Sequence, residues 1–370
     1  MNPPDLLGRL VRPEIQSLPG YEPVEPLEEW VRRTGIARER VAKLDGNENL
    51  HGLHPVVRAA LAEDEDHLYP DPDQRTLREA IAGYAGCAPE QVVAGAGSDD
   101  LLDLVIRAVV RPGDRVIDCT PTFGMYPFLA RIAGAEVVEA PRHPETWEID
   151  PAAVAEQVDM RARVVFVATP NNPTGNLTSP RAIEDLLRLP VLVVLDEAYG
   201  EFAGVSNVAR VAEHPNLVVT RTFSKWAGLA GLRAGYAVMH PWLAERLMTI
   251  KQPYNVNTAA YRAALAALRV RHELTETVRA IVAERDRLAP LLRATGFLDP
   301  YPSQANFVLC RVKGDARALQ GALRERGVLV RYFRHPAVAD CVRISVARRR
   351  ETDLLMRALE EAGRELGYAT

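Results

Sequence analysis

Between residues 90 and 240 the chain repeats one unit: a short valine-rich run, a turn, and an amphipathic stretch. The runs are Val116–Cys119, Val164–Ala168, Val191–Leu195, Leu217–Thr220 and Ala234–Met239. They are apolar at nearly every residue rather than every second one. A strand tolerates that only when both of its faces are covered. The segments between them, such as Asp100–Val110 and Pro180–Arg188, carry apolar residues at helical spacing. This alternation predicts an α/β fold with a mostly parallel central sheet flanked by helices. The C-terminal third reads differently. A helical stretch, Ala259–Arg293, precedes strands at Ala305–Val312, Val328–Phe333 and Cys341–Val346 and helices at Ala316–Arg326 and Glu351–Leu366. That pattern predicts a smaller α+β C-terminal domain. The expected organisation is an N-terminal arm over 1–35, a large domain over 36–255 and the small domain over 256–370. Prolines at 3, 4, 13, 19, 23 and 26 predict an extended arm ending in a short helix near Leu27–Arg33. Such an arm is expected to lie on something, a neighbouring subunit being one candidate.

Composition removes several function classes. The chain has 45 Lys+Arg against 49 Asp+Glu, a net charge of −4, so no cation surplus exists for neutralising nucleic-acid phosphates. Apolar runs as short as Val191–Leu195 cannot span a bilayer, and Met1–Glu14 lacks the apolar core of a signal peptide. Neither a nucleic-acid nor a membrane partner is expected. None of the four cysteines, Cys87, Cys119, Cys310 and Cys341, forms a CxxC pair. A reducing, cytoplasmic setting is therefore expected, with no disulfide framework and no metal. His51 and His54 lack carboxylate partners for a metal. Gly95-Ala96-Gly97 does not complete GxGxxG, and no GxxxxGK[ST] is present.

In open α/β sheets ligands bind beyond the carboxyl ends of the strands. Three successive runs end on polar groups: Thr169-Pro170-Asn171-Asn172-Pro173-Thr174-Gly175, then Asp196-Glu197-Ala198-Tyr199, then Arg221-Thr222-Phe223-Ser224-Lys225. Asp196 follows five apolar residues. A lone aspartate there could equally cap a helix, but where a strand leaves a dry interior a carboxylate calls for a cationic partner. Lys225 is one of only four lysines among the 45 basic residues. Most lysines are solvated. In a chain that prefers arginine, a retained lysine points to work that a guanidinium cannot do, such as forming a Schiff base. Arg233, eight residues on, suits either a structural ion pair or a bidentate grip on phosphate.

Asn172-Pro173-Thr174-Gly175, Asp196-Glu197-Ala198-Tyr199, Ser224-Lys225 and Arg233, in that order and at strand ends, resemble the fold-type-I pyridoxal-phosphate aminotransferases. Finer features resemble the histidinol-phosphate aminotransferase branch over essentially the whole chain. These are Leu18–Tyr21, Lys43–Asn49, Tyr69-Pro70-Asp71, Gly97–Asp100, Pro121–Tyr126, Val330–Phe333 and Val342–Val346. The resemblance implies pyridoxal 5'-phosphate as cofactor, held by the large domain. It implies that Lys225 forms the Schiff base, Asp196 pairs with the ring nitrogen, and Asn172 and Tyr199 bond the ring's 3'-oxygen. Phe123 would stack on the ring. Ser98, Asp99, Thr222, Ser224 and Arg233 would hold the phosphate, and Tyr69 would reach it from the other subunit of a homodimer with shared active sites. Arg343 would grip the substrate α-carboxylate, while Arg331, Tyr21 and Asn49 would meet the rest of the substrate. The substrates implied are a small-molecule amino donor, histidinol phosphate, and a 2-oxo acid acceptor, 2-oxoglutarate, in histidine biosynthesis. The sequence departs from the family at Phe123, where tyrosine is more usual, at Leu50-His51, and at Ala347-Arg348. Phosphothreonine decarboxylase-like enzymes and aromatic amino-acid aminotransferases share the cofactor residues, so these motifs do not separate them. A regulator built on an aminotransferase-like domain would need a DNA-binding module, and residues 1–35 are too short and not basic.

Overall fold

The computed structural model describes residues 3–20, 23–62 and 67–368. A seven-stranded sheet forms its centre, in the order β2 (Val92–Gly95), β8 (Gly235–Met239), β7 (Leu217–Thr222), β6 (Leu192–Asp196), β5 (Ala162–Ala168), β3 (Arg115–Asp118), β4 (Glu136–Glu139). Every neighbouring pair is parallel except the two that involve β8, which runs against both β7 and β2. The period-2 geometry of a strand sends successive side chains to opposite faces. In β6, Val193 and Leu195 join one buried apolar cluster with Val165, Val167 and Val219, while Val194 joins the other with Val164, Phe166 and Val218. Both faces are covered, which is why these strands lack polar alternation.

A second sheet of five strands has the order β1 (Ala42–Leu44), β11 (Val328–Tyr332), β12 (Cys341–Ser345), β10 (Phe307–Val312), β9 (Leu298–Pro300). Here β1 pairs parallel with β11 and the other pairs are antiparallel. Residues 42–44, expected with the large domain, therefore belong to the sheet of the C-terminal residues. A three-residue strand has too few positions to reveal its partner by pattern.

Three expectations change. The arm is not simply extended: Pro3–Leu10 and Pro13–Gln16 are helical, followed by the expected helix at Leu27–Thr34. Their prolines sit in first turns, where the missing N–H costs nothing. The stretch 259–293 is two helices, Thr258–Arg269 and Arg271–Ala294, broken at Val270 (φ −101, ψ 24). Strands β1, β2, β4 and β9 add to those expected from sequence. Of these, β4 lies at the sheet edge with its terminal glutamates exposed. Among the described residues, no helix is long and apolar enough to cross a membrane.

Candidate active site

Strands β5, β6 and β7 are adjacent and parallel, with Ala168 level with Asp196 and Asp196 level with Thr220. Their carboxyl ends therefore share one rim. Asp196 ends β6 and is only 5% exposed. Tyr126 donates its hydroxyl to one carboxylate oxygen at 2.7 Å and the Ala198 N–H donates to the other at 3.0 Å. Burial pushes the carboxyl up to about 6, against the pull of those two donors. Among the described residues no salt bridge reaches it. A buried carboxylate in this state is stabilised by a cationic donor, and a protonated ring nitrogen is such a donor.

Lys225 is part-buried beyond β7, and its Nζ donates to the Gly46 carbonyl at 3.2 Å. Burial, reinforced by the charge of Arg343, pushes its ammonium down to about 8. A fraction of the amine is therefore neutral near pH 7, as a nucleophile or base requires.

An anion cradle opens at the start of helix Ser98–Val109. No side chain caps this N-terminus, so its first N–H groups point outward with the positive end of the helix dipole. Two glycines make the approach possible. A Cβ on Gly97 (φ +86) would lie 2.5 Å from Arg233 Nη2, and one on Gly235 would lie 2.6 Å from the Ser98 nitrogen. Arg233 donates to Asp99 at 2.9 Å and to Ser224 Oγ at 3.4 Å, and Thr222 Oγ1 donates to Ser224 Oγ at 2.9 Å. Arg233 itself has a positive φ of 59°, which is strained for a side chain of this size. The structure thus brings Ser98, Asp99, Thr222, Ser224 and Arg233 together at one helix start.

The second sheet supplies the opposite wall. Arg343 on β12 is 6% exposed and donates to Asn172 Oδ1 at 2.5 Å and to the Asp45 carbonyl at 2.7 Å. Its guanidinium lies 5.2 Å from the Phe307 ring and 5.4 Å from that of Phe333. Arg331 on β11 is directly opposite Arg343 in the antiparallel register, 5.9 Å from Phe333. Two like charges face to face on neighbouring strands destabilise a sheet. Tyr199 packs edge-on against Phe307 at 5.0 Å. Phe123 is half-buried and edge-on to Tyr126 at 5.6 Å. Asn49 spends its amide on the Trp226 carbonyl at 3.2 Å and the His51 N–H at 3.1 Å. Tyr69 stands outside this cluster: it is 80% exposed and stacks on Tyr254 at 4.4 Å. Tyr21 lies outside the described residues.

Residues 39–359 match the family Aminotransferase class I and II. The chain belongs to this family. Within it, a histidinol-phosphate aminotransferase of Roseiflexus castenholzii (strain DSM 13941 / HLO8) is 50% identical, covering 97% of this chain and 99% of its own. One from Dehalococcoides mccartyi (strain CBDB1) is 43% identical, covering 96% and 99%. The crystal structure of histidinol-phosphate aminotransferase from Sinorhizobium meliloti in complex with pyridoxal-5'-phosphate superposes with a TM-score of 0.87 at 31% identity, covering 96% and 98%.

The same cluster also includes residues to which the sequence reading gave no role. Tyr126 holds Asp196. The Asp45 and Gly46 carbonyls hold Arg343 and Lys225. Asn47, 1% exposed, donates to Tyr199 Oη at 3.0 Å. Tyr126 and Asn47 lie within motifs already noted, Pro121–Tyr126 and Lys43–Asn49. Their partners are 70 and 152 residues away, so spacing gave no sign of the contacts.

Proposed function

We propose that this chain is a pyridoxal-phosphate-dependent aminotransferase acting on histidinol phosphate and 2-oxoglutarate, the histidinol-phosphate transaminase step of histidine biosynthesis. The observation that carries the reading is Lys225: a part-buried amine bonded to the Gly46 carbonyl and within electrostatic reach of Asp99 and Arg233, with its ammonium pushed down to about 8. The names of relatives at 43% and 50% identity support the substrate. The residues present fit the cofactor. An uncapped helix start with Arg233 suits its phosphate, and a buried carboxylate without a cationic partner suits its ring nitrogen.

When bound, the cofactor supplies an electron sink for the charge left as the substrate loses its α-proton. The protein does the rest. Ser98 and Asp99 N–H groups, with Thr222, Ser224 and Arg233, would hold the phosphate. Asp196 would keep a proton on the ring nitrogen, and Tyr199 and Asn172 would bond the 3'-oxygen. Phe123 would stack on the ring. Lys225 Nζ would take the proton from the substrate Cα as base and, as acid, deliver it to the cofactor's C4' carbon. Arg343 grips the α-carboxylate of the 2-oxo acid and glutamate. Histidinol phosphate has no such carboxylate, so Arg343 and Arg331 hold its phosphate instead. A planar fork of donors serves both anions.

The functional unit in this proposal is a cytoplasmic homodimer in which Tyr69 completes the neighbour's phosphate site. The support is the exposure of Leu68 (56%), Tyr69 (80%) and Tyr254 (45%) in one region, and four free cysteines. An amino-donor screen with 2-oxoglutarate tests the substrate. Turnover of histidinol phosphate is expected. Turnover of phenylalanine without histidinol phosphate would assign the chain to aromatic amino acids instead. Lys225→Ala should abolish the visible absorbance of the purified protein, and an unchanged spectrum would refute the Schiff-base assignment.

A further inference from the structure

Asn47 occupies an unusual place. It has a positive φ of 53°, it is 1% exposed, and both ends of its side chain are bonded. Its backbone N–H donates to Ser345 Oγ at 2.9 Å. The Ser345 hydrogen is then available to donate to Asn47 Oδ1, at 2.8 Å. That fixes the amide orientation: Oδ1 faces Ser345, and Nδ2 faces Tyr199 Oη at 3.0 Å. The Asn47 carbonyl accepts from Asn306 Nδ2 at 3.0 Å. Ser345 lies two residues from Arg343 on β12, so the two project from the same face. A chain of hydrogen bonds thus runs from the strand that carries Arg343, through Ser345 and Asn47, to the Tyr199 phenol.

We propose that Asn47 is a positioning residue that sets the direction and strength of the Tyr199 hydrogen bond to the cofactor's 3'-oxygen, anchored through Ser345 to the substrate-gripping strand. This rests on the reading above that Tyr199 faces that oxygen. A phenol oxygen that accepts a hydrogen bond donates its own hydrogen more strongly. The Asn47 amide therefore strengthens Tyr199 as a donor and prevents its hydroxyl from turning inward.

The test is the pH dependence of the holoprotein's visible absorbance, which reads the proton on the Lys225–cofactor nitrogen without turnover. A donor on the 3'-oxygen favours the unprotonated form. Asn47→Asp keeps the shape and tolerates positive φ. It replaces the donor with an acceptor, which draws the Tyr199 hydrogen away from the cofactor. The spectral midpoint should rise by ~0.5–1 pH unit, the scale of one hydrogen bond. Ser345→Ala should raise it by less. In a Tyr199→Phe background, Asn47→Asp should shift the midpoint clearly less than in the wild-type background, the remainder being the direct pull of the new carboxylate charge on that nitrogen. An unmoved midpoint in Asn47→Asp, or an equal shift in the Tyr199→Phe background, would overturn this inference alone. A wild-type protein with no visible band after incubation with pyridoxal phosphate would overturn the parent reading and this one together. If Asn47→Asp does not fold, Ser345→Ala decides the matter by the same criterion.

Discussion

Asp196→Asn removes a charge and keeps the shape, and its effects on stability and catalysis should have opposite signs. The carboxyl is pushed up to about 6 from an ordinary 3.8, chiefly by burial. Two units correspond to about 3 kcal/mol. The native state holds this proton more tightly than the unfolded chain. Native protein therefore binds more protons between about pH 4 and pH 6, and its stability falls as pH rises through that window. The penalty is absent below pH 4 and complete above pH 6. Asparagine has no proton to lose, and its side-chain oxygen still accepts from Tyr126 or Ala198. The apoprotein of Asp196→Asn should thus be more stable than wild-type apoprotein at pH 7, by up to about 3 kcal/mol, and equal to it at pH 4. The same change removes the partner of the ring nitrogen, worth roughly 2–4 kcal/mol of barrier, or about 30- to 1000-fold in kcat. Urea denaturation of both apoproteins at pH 4, 5, 6 and 7, beside steady-state kinetics, measures both halves. A variant no more stable than wild type at pH 7, or a difference that does not change with pH, would refute the electrostatic account of this site.

Gly235→Ala places a Cβ 2.6 Å from the Ser98 nitrogen and 2.7 Å from the Gly97 carbonyl carbon, against backbone that cannot turn aside. It should cost about 1–3 kcal/mol of stability and weaken pyridoxal phosphate binding in a cofactor titration, and wild-type behaviour in both would contradict the cradle. Arg331→Ala should raise KM for histidinol phosphate by about 10- to 100-fold, the value of one charge-assisted contact, while leaving the holoprotein spectrum in place. Sedimentation should give a dimer, and mixing inactive Tyr69→Ala and Lys225→Ala subunits should restore activity if Tyr69 serves its neighbour. A fully active monomer would rule out shared sites.

What could be read from the sequence divides by the range of the interaction that makes it. Strands β5, β6 and β7 announce themselves because burial on both faces leaves only apolar residues, and their polar ends follow directly. Asp196 and Lys225 are visible for that reason: each breaks a local pattern. The parallel neighbours also place those ends on one rim without any long-range information. By contrast, β1 is three residues long, and β4 is an edge strand with glutamate at both ends. Neither carries enough periodicity to stand out. The break at Val270 interrupts an otherwise continuous helical pattern, and no proline or glycine marks it. The bond from Asn47 to Tyr199 spans 152 residues and depends on the two sheets meeting, which no local pattern records.

That meeting explains why one short loop matters so much. Strand β1 ties residues 42–44 to β11, and the chain then crosses toward the large sheet. Within the next three residues, Asp45 gives its carbonyl to Arg343, Gly46 gives its carbonyl to Lys225, and Asn47 bonds Ser345 on one side and Tyr199 on the other. A Cβ on Gly46 would lie 2.8 Å from the Glu48 carboxylate, which is paired with Lys43, so a side chain there would have to displace that pair. The ion pair behind the loop and the two sheets beside it leave its carbonyls little freedom of direction. The amine and the guanidinium, drawn from different sheets, are thereby referenced to consecutive peptide groups. A shift of the small sheet relative to the large one would have to break or carry these bonds.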